Sequence, residues 1–514
     1  MPVPSVPRLG INNPPISLST SLMSSINQAT PGCFKGLRSL FSRSTDYANR
    51  APKPPAGEQR INNSLVAPSS DCKPCYSCCS FKVVPENGVT WTKEKENDIP
   101  PPYTSDEATD YYGEVKAAIE RSIADLDEEL WALNREIHDN PELGYQEFKT
   151  HDTLTNFMEA QNFTVTRHIC GLDTAWRAEW SFGEGGRTLG INSEMDALPG
   201  IGHACGHNLI AVGGVTIAIA VKAAMEKYKI AGKIILLGTP AEEGGGGKIQ
   251  LLERGAYKEM DICVMSHPGP GPKDSAATGS SLATQPLVVE YFGHTAHAAA
   301  APWEGQNALD AAVLAYNSIS LLRQQIKPNC RVHGIIEGRD WAANIIPDYA
   351  RMKWIVRAPT KTELSGLLAR VRACIEAAAI AASCKAEINL EVAYYDLRQN
   401  EVLAQEFLRT VQNHYGMRVG SGSDNDISAS TDFGNVTYAM PGLHPAYAIN
   451  TKPGGGNHTK EFAESAGSKE SHEAALKVSK GLALIGLRCL KDEDFYLKVR
   501  KSYDDMIGTY DRRQ

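Results

Sequence analysis

Apolar positions between Tyr112 and His138 recur at helical spacing: Val115, Ile119, Ile123, Leu126, Leu130, Leu133 and Ile137 share one face. Asn140-Pro141 closes the run, so an amphipathic helix is predicted there. The pattern then changes to short apolar blocks alternating with helical stretches. Arg187 to Asn192, Lys233 to Gly238 and Asp261 to Met265 read as buried strands, and Leu209 to Tyr228 reads as a helix between the first two. Strand and helix in alternation predict an α/β fold with a mostly parallel sheet.

Residues 286–393 carry a different pattern. Strands are predicted at Leu287 to Phe292, Arg331 to Glu337, Tyr349 to Val356 and Ala386 to Val392. Helices are predicted at Asn307 to Gln325 and at Glu363 to Ala382, the second capped by Thr360. The order β-α-β-β-α-β is that of the split-βαβ, ferredoxin-like unit, and it reads as a compact domain inserted into a larger one. The α/β pattern resumes after Leu403 and ends in a helix over Ala474 to Cys489. The larger domain is therefore predicted to be discontinuous, over residues 104–285 and 394–514.

Residues 1–103 differ from the rest, holding 15 of the 29 prolines and five of the 12 cysteines with little periodicity. Such a segment buries too little apolar surface to offset its ordering entropy, so a disordered extension is expected. Within it, Lys35 to Arg43 is a short basic amphipathic stretch that admits a mitochondrial presequence, against which Pro2, Pro4, Pro7, Pro14 and Pro15 argue. Cys72, Cys75, Cys78 and Cys79 can bind a metal or accept palmitate, and they fit a thiol-rich tail equally well.

Composition narrows the class. The 514 residues are 42% hydrophobic and 22% charged, which excludes fibrous, collagenous and wholly disordered proteins. At about 150 residues per domain the length suggests three or so units. The longest nearly apolar run, Leu209 to Val221, has 13 residues, whereas a membrane span needs about 20; no span is expected. A net charge of −8 lacks the basic footprint of a nucleic-acid binder. The seven cysteines after residue 100 are irregularly spaced and no secretory leader is seen, which points to reduced thiols and a cytoplasmic location.

Four segments place metal-binding side chains where predicted strands end, the position at which open α/β sheets bind ligands. In Glu194-Met-Asp196-Ala-Leu-Pro-Gly-Ile-Gly-His203-Ala-Cys205-Gly-His207, a thiolate and an imidazole one glycine apart can reach one ion, and that pair suits zinc. A lone Cys-x-His also fits a buried, inert cysteine. Glu242-Glu243 follows the next strand, where adjacent carboxylates repel unless a cation or proton compensates them. One can ligate a metal while the other takes a proton from water; a solvated glycine-rich loop is the plain alternative. The run is no phosphate loop, because that spacing needs glycine at Glu242 and a hydroxyl at Ile249. His267 follows the third strand, and His458 lies in a glycine-rich loop before the last helices. Together Cys205, His207, Glu243, His267 and His458, with Glu242 left over as base, suffice for a two-metal site.

These segments resemble the dinuclear metallopeptidase family that includes aminoacylases and glutamate carboxypeptidases, and within it the amidohydrolase branch. From about Asp125 to Arg488 the motifs occur in the family order: Asn140 to Phe148, His203-Ala-Cys205-Gly-His207, Glu242-Glu243, His297-Ala-Ala, Asn344 to Asp348, Ser430 to Val436 and His458 to Phe462. The stretch Asp196 to Asn208 is most similar to dipeptidases acting on β-alanyl-lysine and Xaa-Arg dipeptides, although many relatives carry Asp where Asn208 stands. The resemblance implies a zinc-peptidase-like catalytic domain, with two divalent ions, zinc or manganese, on the five ligands. Glu242 is then the general base, Asp196 an outer support for a ligand or a loop cap, and Asn344 and Arg357 substrate-binding residues. The inserted unit is implied to be a dimerisation and lid domain whose His297 serves the partner's site. His203 and His294 are expected to be structural or outer supports, and no role follows for Asp432 or Asn435. The implied substrate is a dipeptide or N-acyl amino acid with a free carboxylate; aryl-glutamate or auxin-type amino-acid conjugates are the alternative, and a non-catalytic scaffold is the reading of another class.

Overall fold

The structure is a computed structural model that describes residues 106–421 and 429–511, all within one compact unit of the chain. The predictions for residues 1–103 lie outside the described residues. The predicted first helix is two, α1 (Asp106–Ala124) and α2 (Asp127–Asp139). Every apolar position named for it except the half-buried Leu126 is buried, so the pattern reports the buried face and not the break. The break itself has a local cause: Asp127, Glu128 and Glu129 form an acidic first turn suited to a new helix N-terminus.

Next come α3 (Phe148–Ala160), the edge hairpin β1 (Thr164–Arg167) and β2 (Trp176–Phe182), then β3 (Arg187–Glu194), α4 (His207–Tyr228) and β4 (Gly232–Thr239). They are followed by α5 (Gly247–Glu253), β5 (Ile262–Val264), β6 (His267–Pro270) and β7 (Ser275–Thr278). α4 extends the 13-residue apolar run to 22 residues, long and apolar enough to cross a membrane, yet it is packed inside the protein.

Between residues 283 and 390 lie β8 (Ala283–Phe292), α6 (Ala308–Leu322), β9 (Arg331–Glu337), β10 (Tyr349–Ala358), α7 (Lys361–Ala381) and β11 (Lys385–Leu390). The four strands form an antiparallel sheet in the order β11-β8-β10-β9, the split-βαβ order. α6 and α7 pack on it around an apolar cluster of their own that includes Val289, Ile319, Trp354 and Val371. Thr360 accepts from the Glu363 N–H at 3.2 Å and caps α7.

The chain closes with α8 (Glu401–Tyr415), β12 (Arg418–Ser421), α9 (Phe433–Thr437), β13 (Gly442–Leu443), β14 (Ala446–Ile449), α10 (Lys460–Ala466), α11 (Lys469–Lys491) and α12 (Glu493–Asp511). α12 extends past the predicted final helix; Asp492 Oδ1 accepts from the Phe495 N–H at 3.0 Å, and Phe495, Val499 and Tyr503 bury one face.

The main sheet runs β1-β2-β4-β3-β5-β13, with β4, β3, β5 and β13 mutually parallel and the β1–β2 edge antiparallel. A second sheet, β12-β7-β14-β6, mixes both directions. α4 and α11 share the main core with β3 and β4 residues such as Leu189, Ile191, Ile234 and Leu236. Four parallel strands thus end on one side of the main sheet.

Candidate active site and metal centre

β3 ends at Glu194 and leads to Asp196; β4 leads to Glu242 and Glu243; β5 leads to His267; β13 leads to His444. Because these strands are parallel, their carboxyl ends gather these side chains at one edge. Cys205 comes from the β3–α4 loop, His207 is the first residue of α4, and His458 comes from the loop before α10. The glycine between Cys205 and His207 is required twice over. Gly206 has φ +79°, and a Cβ there would sit 2.5 Å from Cγ of Pro268, the residue after His267. His458 (φ 68°) and Ala241 (φ 55°) hold the same left-handed conformation without being glycine, local strain that packed surroundings must maintain. The His458 N–H donates to the Ala204 carbonyl at 2.8 Å, and the Ala241 N–H to Glu147 Oε1 at 2.9 Å.

The structure brings together all five predicted ligands. Cys205 Sγ lies 3.5 Å from His267 Nε2, and His458 Nε2 lies 3.3 Å from Glu243 Oε1. His207 Nε2 lies 3.8 Å from Glu242 Oε2 and 3.9 Å from Glu243 Oε1. Two of the three groups whose ligand atoms lie within 4.8 Å of one another among the described residues consist of predicted ligands alone: Cys205, His207 and His267, and Cys205, Glu243 and His458. Cys205 belongs to both. His207 is fully buried and His458 exposed, so the site opens at the His458 side.

Asp196 supports this group with both carboxylate oxygens. Oδ1 takes His207 Nδ1 at 3.1 Å, which leaves Nε2 facing inward, and Oδ2 accepts from the Glu243 N–H at 3.0 Å. Glu147, also buried, accepts from Ala241 N–H and from Thr174 Oγ1; burial, with Asp196 adding to it, pushes its carboxyl up to about 7. Tyr394, just past β11, clamps the loop that carries the adjacent glutamates: its Oη donates to the Glu242 carbonyl at 2.7 Å and accepts from the Gly246 N–H at 3.0 Å. The glycine run is therefore packed, and it opens α5.

Burial, and then the charges of Glu194, Glu243 and Asp432, push the Glu242 carboxyl well above the usual range, with Lys248 opposing. Burial disfavours charge on His207, but Asp196 and Glu194 outweigh it and raise its pKa well above the ordinary value. Carboxylates outnumber cations here. His207 Nε2 and Glu243 Oε1 are buried, and among the described residues they meet only the other polar side chains of the site, with no hydrogen-bond partner beyond those ion pairs. Unpaired buried donors and acceptors of mixed thiolate, imidazole and carboxylate type are what divalent cations satisfy, so the residues fit a metal centre.

His297, Asn344 and Arg357 lie elsewhere. His297 is exposed in the loop after β8, its Nδ1 accepting from the N–H groups of Ala299 and Ala300, and it bridges Ile345 beside the exposed Asn344. Arg357, on β10, donates to Ser430 Oγ at 2.8 Å. Asp432 holds the Lys248 N–H at 3.0 Å and its ammonium at 2.6 Å, and Asn435 ties the 393–395 linker through Ala393 O and Tyr395 N. His203 is buried beside His138, and burial lowers its pKa to about 3. Sequence reasoning missed Glu194, Lys248, Glu147, Tyr394 and His444. For Glu194 the strand-end position was an available signal; Lys248, in a glycine-rich run, gave none of its burial.

The profile of peptidase family M20/M25/M40 matches residues 190–483, and that span contains every one of these site residues except Glu147. The chain belongs to that family. An M20 chain of this kind is a hydrolase. The protein is 42% identical over 402 residues to the Xaa-Arg dipeptidase of Mus musculus, covering 76% of this chain and 91% of the relative. To a subunit of the p-aminobenzoyl-glutamate hydrolase of Escherichia coli (strain K12) it is 24% identical over 464 residues, 75% of this chain and 92% of the other. A Bacillus subtilis structure described as a dinuclear metal binding peptidase of the M20 family shares the fold, with a TM-score of 0.55, 19% identity and coverage of 70% and 97%.

Proposed function

We propose that this M20 chain hydrolyses the amide bond of a dipeptide or N-acyl amino acid bearing a free carboxylate. The observation that carries the reading is the convergence of Cys205, His207, Glu243, His267 and His458 beside the buried carboxylate of Glu242. The five would hold two divalent ions; the thiolate favours zinc, while the carboxylate and imidazoles accept zinc or manganese. When bound, such a pair of ions lowers the pKa of water from about 15.7 towards ~7. Glu242 takes the proton of the attacking water and delivers it to the leaving amine, which an amide requires because its anion is a poor leaving group. Asp196 fixes the His207 ring, and Tyr394 with Glu147 fixes the loop from which Glu242 projects.

The 286–393 unit acts as a lid and dimerisation domain in this reading, and His297 of a partner subunit would stabilise the oxyanion. Exposure of His297 in the single chain is compatible with that role. Arg357 offers a planar fork for the substrate carboxylate, with Asn344 assisting. The likeness to the mouse dipeptidase favours a dipeptide with a basic C-terminal residue; the likeness to the aminobenzoyl-glutamate enzyme supports aryl-glutamates as the second class. A reducing, cytoplasmic setting fits the seven described cysteines, none in a disulfide.

The test is a panel of Xaa-Arg and β-alanyl-lysine dipeptides, N-acyl amino acids and p-aminobenzoyl-glutamate with metal-reconstituted protein. Selective release of the amino acid from the dipeptides supports the reading. Turnover confined to aryl-glutamates replaces it with the second class, and absence of turnover across the panel overturns it.

A further inference from the structure

We propose that Glu194 is a sixth protein ligand of the metal centre, held in place by Lys248; this rests on the metal-hydrolase reading above. Glu194 is the last residue of β3 and is fully buried. Its two oxygens face different partners. Oε1 lies 2.6 Å from the Lys248 ammonium, which also takes Asp432 Oδ1 at 2.6 Å. Oε2 lies 3.3 Å from His207 Nε2, the nitrogen left facing inward once Asp196 holds Nδ1.

Glu194, His207 and Glu242 form a third group with ligand atoms within 4.8 Å of one another. Apart from ion pairs among the site's own side chains, neither Glu194 Oε2 nor His207 Nε2 has a hydrogen-bond partner among the described residues. A counter-ion for Lys248 needs only Oε1. The second oxygen is ion-paired at 3.3 Å with His207 Nε2, the very atom that a metal-bound imidazole gives over to the ion, so a filled centre leaves Oε2 buried with only the cation to face. A cation between Oε2 and Nε2 satisfies both atoms. Lys248 then does for Glu194 what Asp196 does for His207: it fixes the ligand from behind through the atom that does not bind the metal.

The test uses the full chain, stripped of metal and titrated with Zn²⁺ or Co²⁺ against a chromophoric chelator. Wild type should bind two equivalents. In Glu194→Gln, one of the two should weaken by more than the roughly 10- to 100-fold that loss of an outer support costs, and the Co²⁺ ligand-field bands should change, while the thiolate charge-transfer band from Cys205 persists. Unchanged affinities and unchanged bands in a folded Glu194→Gln protein overturn the proposal. If that variant does not fold, the metal-loaded wild-type crystal structure decides. An ion about 2.0–2.2 Å from Glu194 Oε2 supports it, and one beyond about 3 Å overturns it. A wild-type chain that binds no divalent ion sinks the metal reading itself, a distinct result.

Discussion

The strand ends of the main sheet and the antiparallel sheet β11-β8-β10-β9 are opposites in what they leave unsatisfied. The first region buries Glu194, Asp196, His207, Glu242, Lys248 and Asp432, with several polar atoms unpaired. The second buries an almost purely apolar interior and leaves Trp303, Leu321, Ile335 and Ile380 largely in solvent, at 78%, 76%, 56% and 80% exposure. Buried polar atoms without hydrogen-bond partners fit ions, whereas exposed apolar side chains, where they are contiguous, fit a protein surface. On the proposed reading the first region takes ions and the second a second copy of the chain, and the two can be tested separately.

The largest effect is expected from Glu242→Gln. It should keep bound metal, measured by elemental analysis, and lose about 10²- to 10⁴-fold in kcat. Retained turnover would remove Glu242 from the base role.

Glu147→Gln should come next. The folded-state pKa of Glu147 is raised, from 4.5 to about 7, so the native state holds a proton that the unfolded chain has already lost. Stability from this group is intact below about pH 4.5 and is lost as pH rises through about 7, to a total near 3 kcal/mol. The variant should match wild type around pH 5 and exceed it by up to that amount at about pH 8, read from denaturant midpoints. Parallel pH profiles would show that Glu147 is not the source.

Gly206→Ala attacks the turn between two ligands, and a loss of about 2 kcal/mol is expected from the left-handed φ alone. Metal affinity should fall with it, since the added Cβ meets Pro268; thermal melts with and without metal check both. The smallest effect on chain stability, within about 0.5 kcal/mol, is expected of Leu321→Lys combined with Ile380→Lys. Sedimentation should then show a smaller particle than wild type if this face joins two copies, and an unchanged particle would place the interface elsewhere.

How much could be read from the sequence depends on the range of the interactions. Cys205-Gly-His207 is legible because one turn brings two ligands together, and Glu242-Glu243 because adjacent carboxylates after an apolar strand demand compensation. The split-βαβ order is legible because its elements are consecutive. The Glu194–Lys248–Asp432 cluster is not, because it joins three distant segments and each residue alone looks solvated. The sheet β12-β7-β14-β6 escaped for the same reason: β7 and β12 pair across the whole 283–390 unit. The α1–α2 break and α12 were legible in hindsight, from the acidic turn at Asp127 and the Asp492 cap.

The sulfur of residue 205 stands in two of the three donor groups. If the proposed two-ion centre forms, oxidising or alkylating that single atom withdraws a donor from both ions at once, so a thiol-directed poison should silence the centre in one hit rather than by degrees. Pre-loading with metal should shield the chain, because the same atom is then occupied.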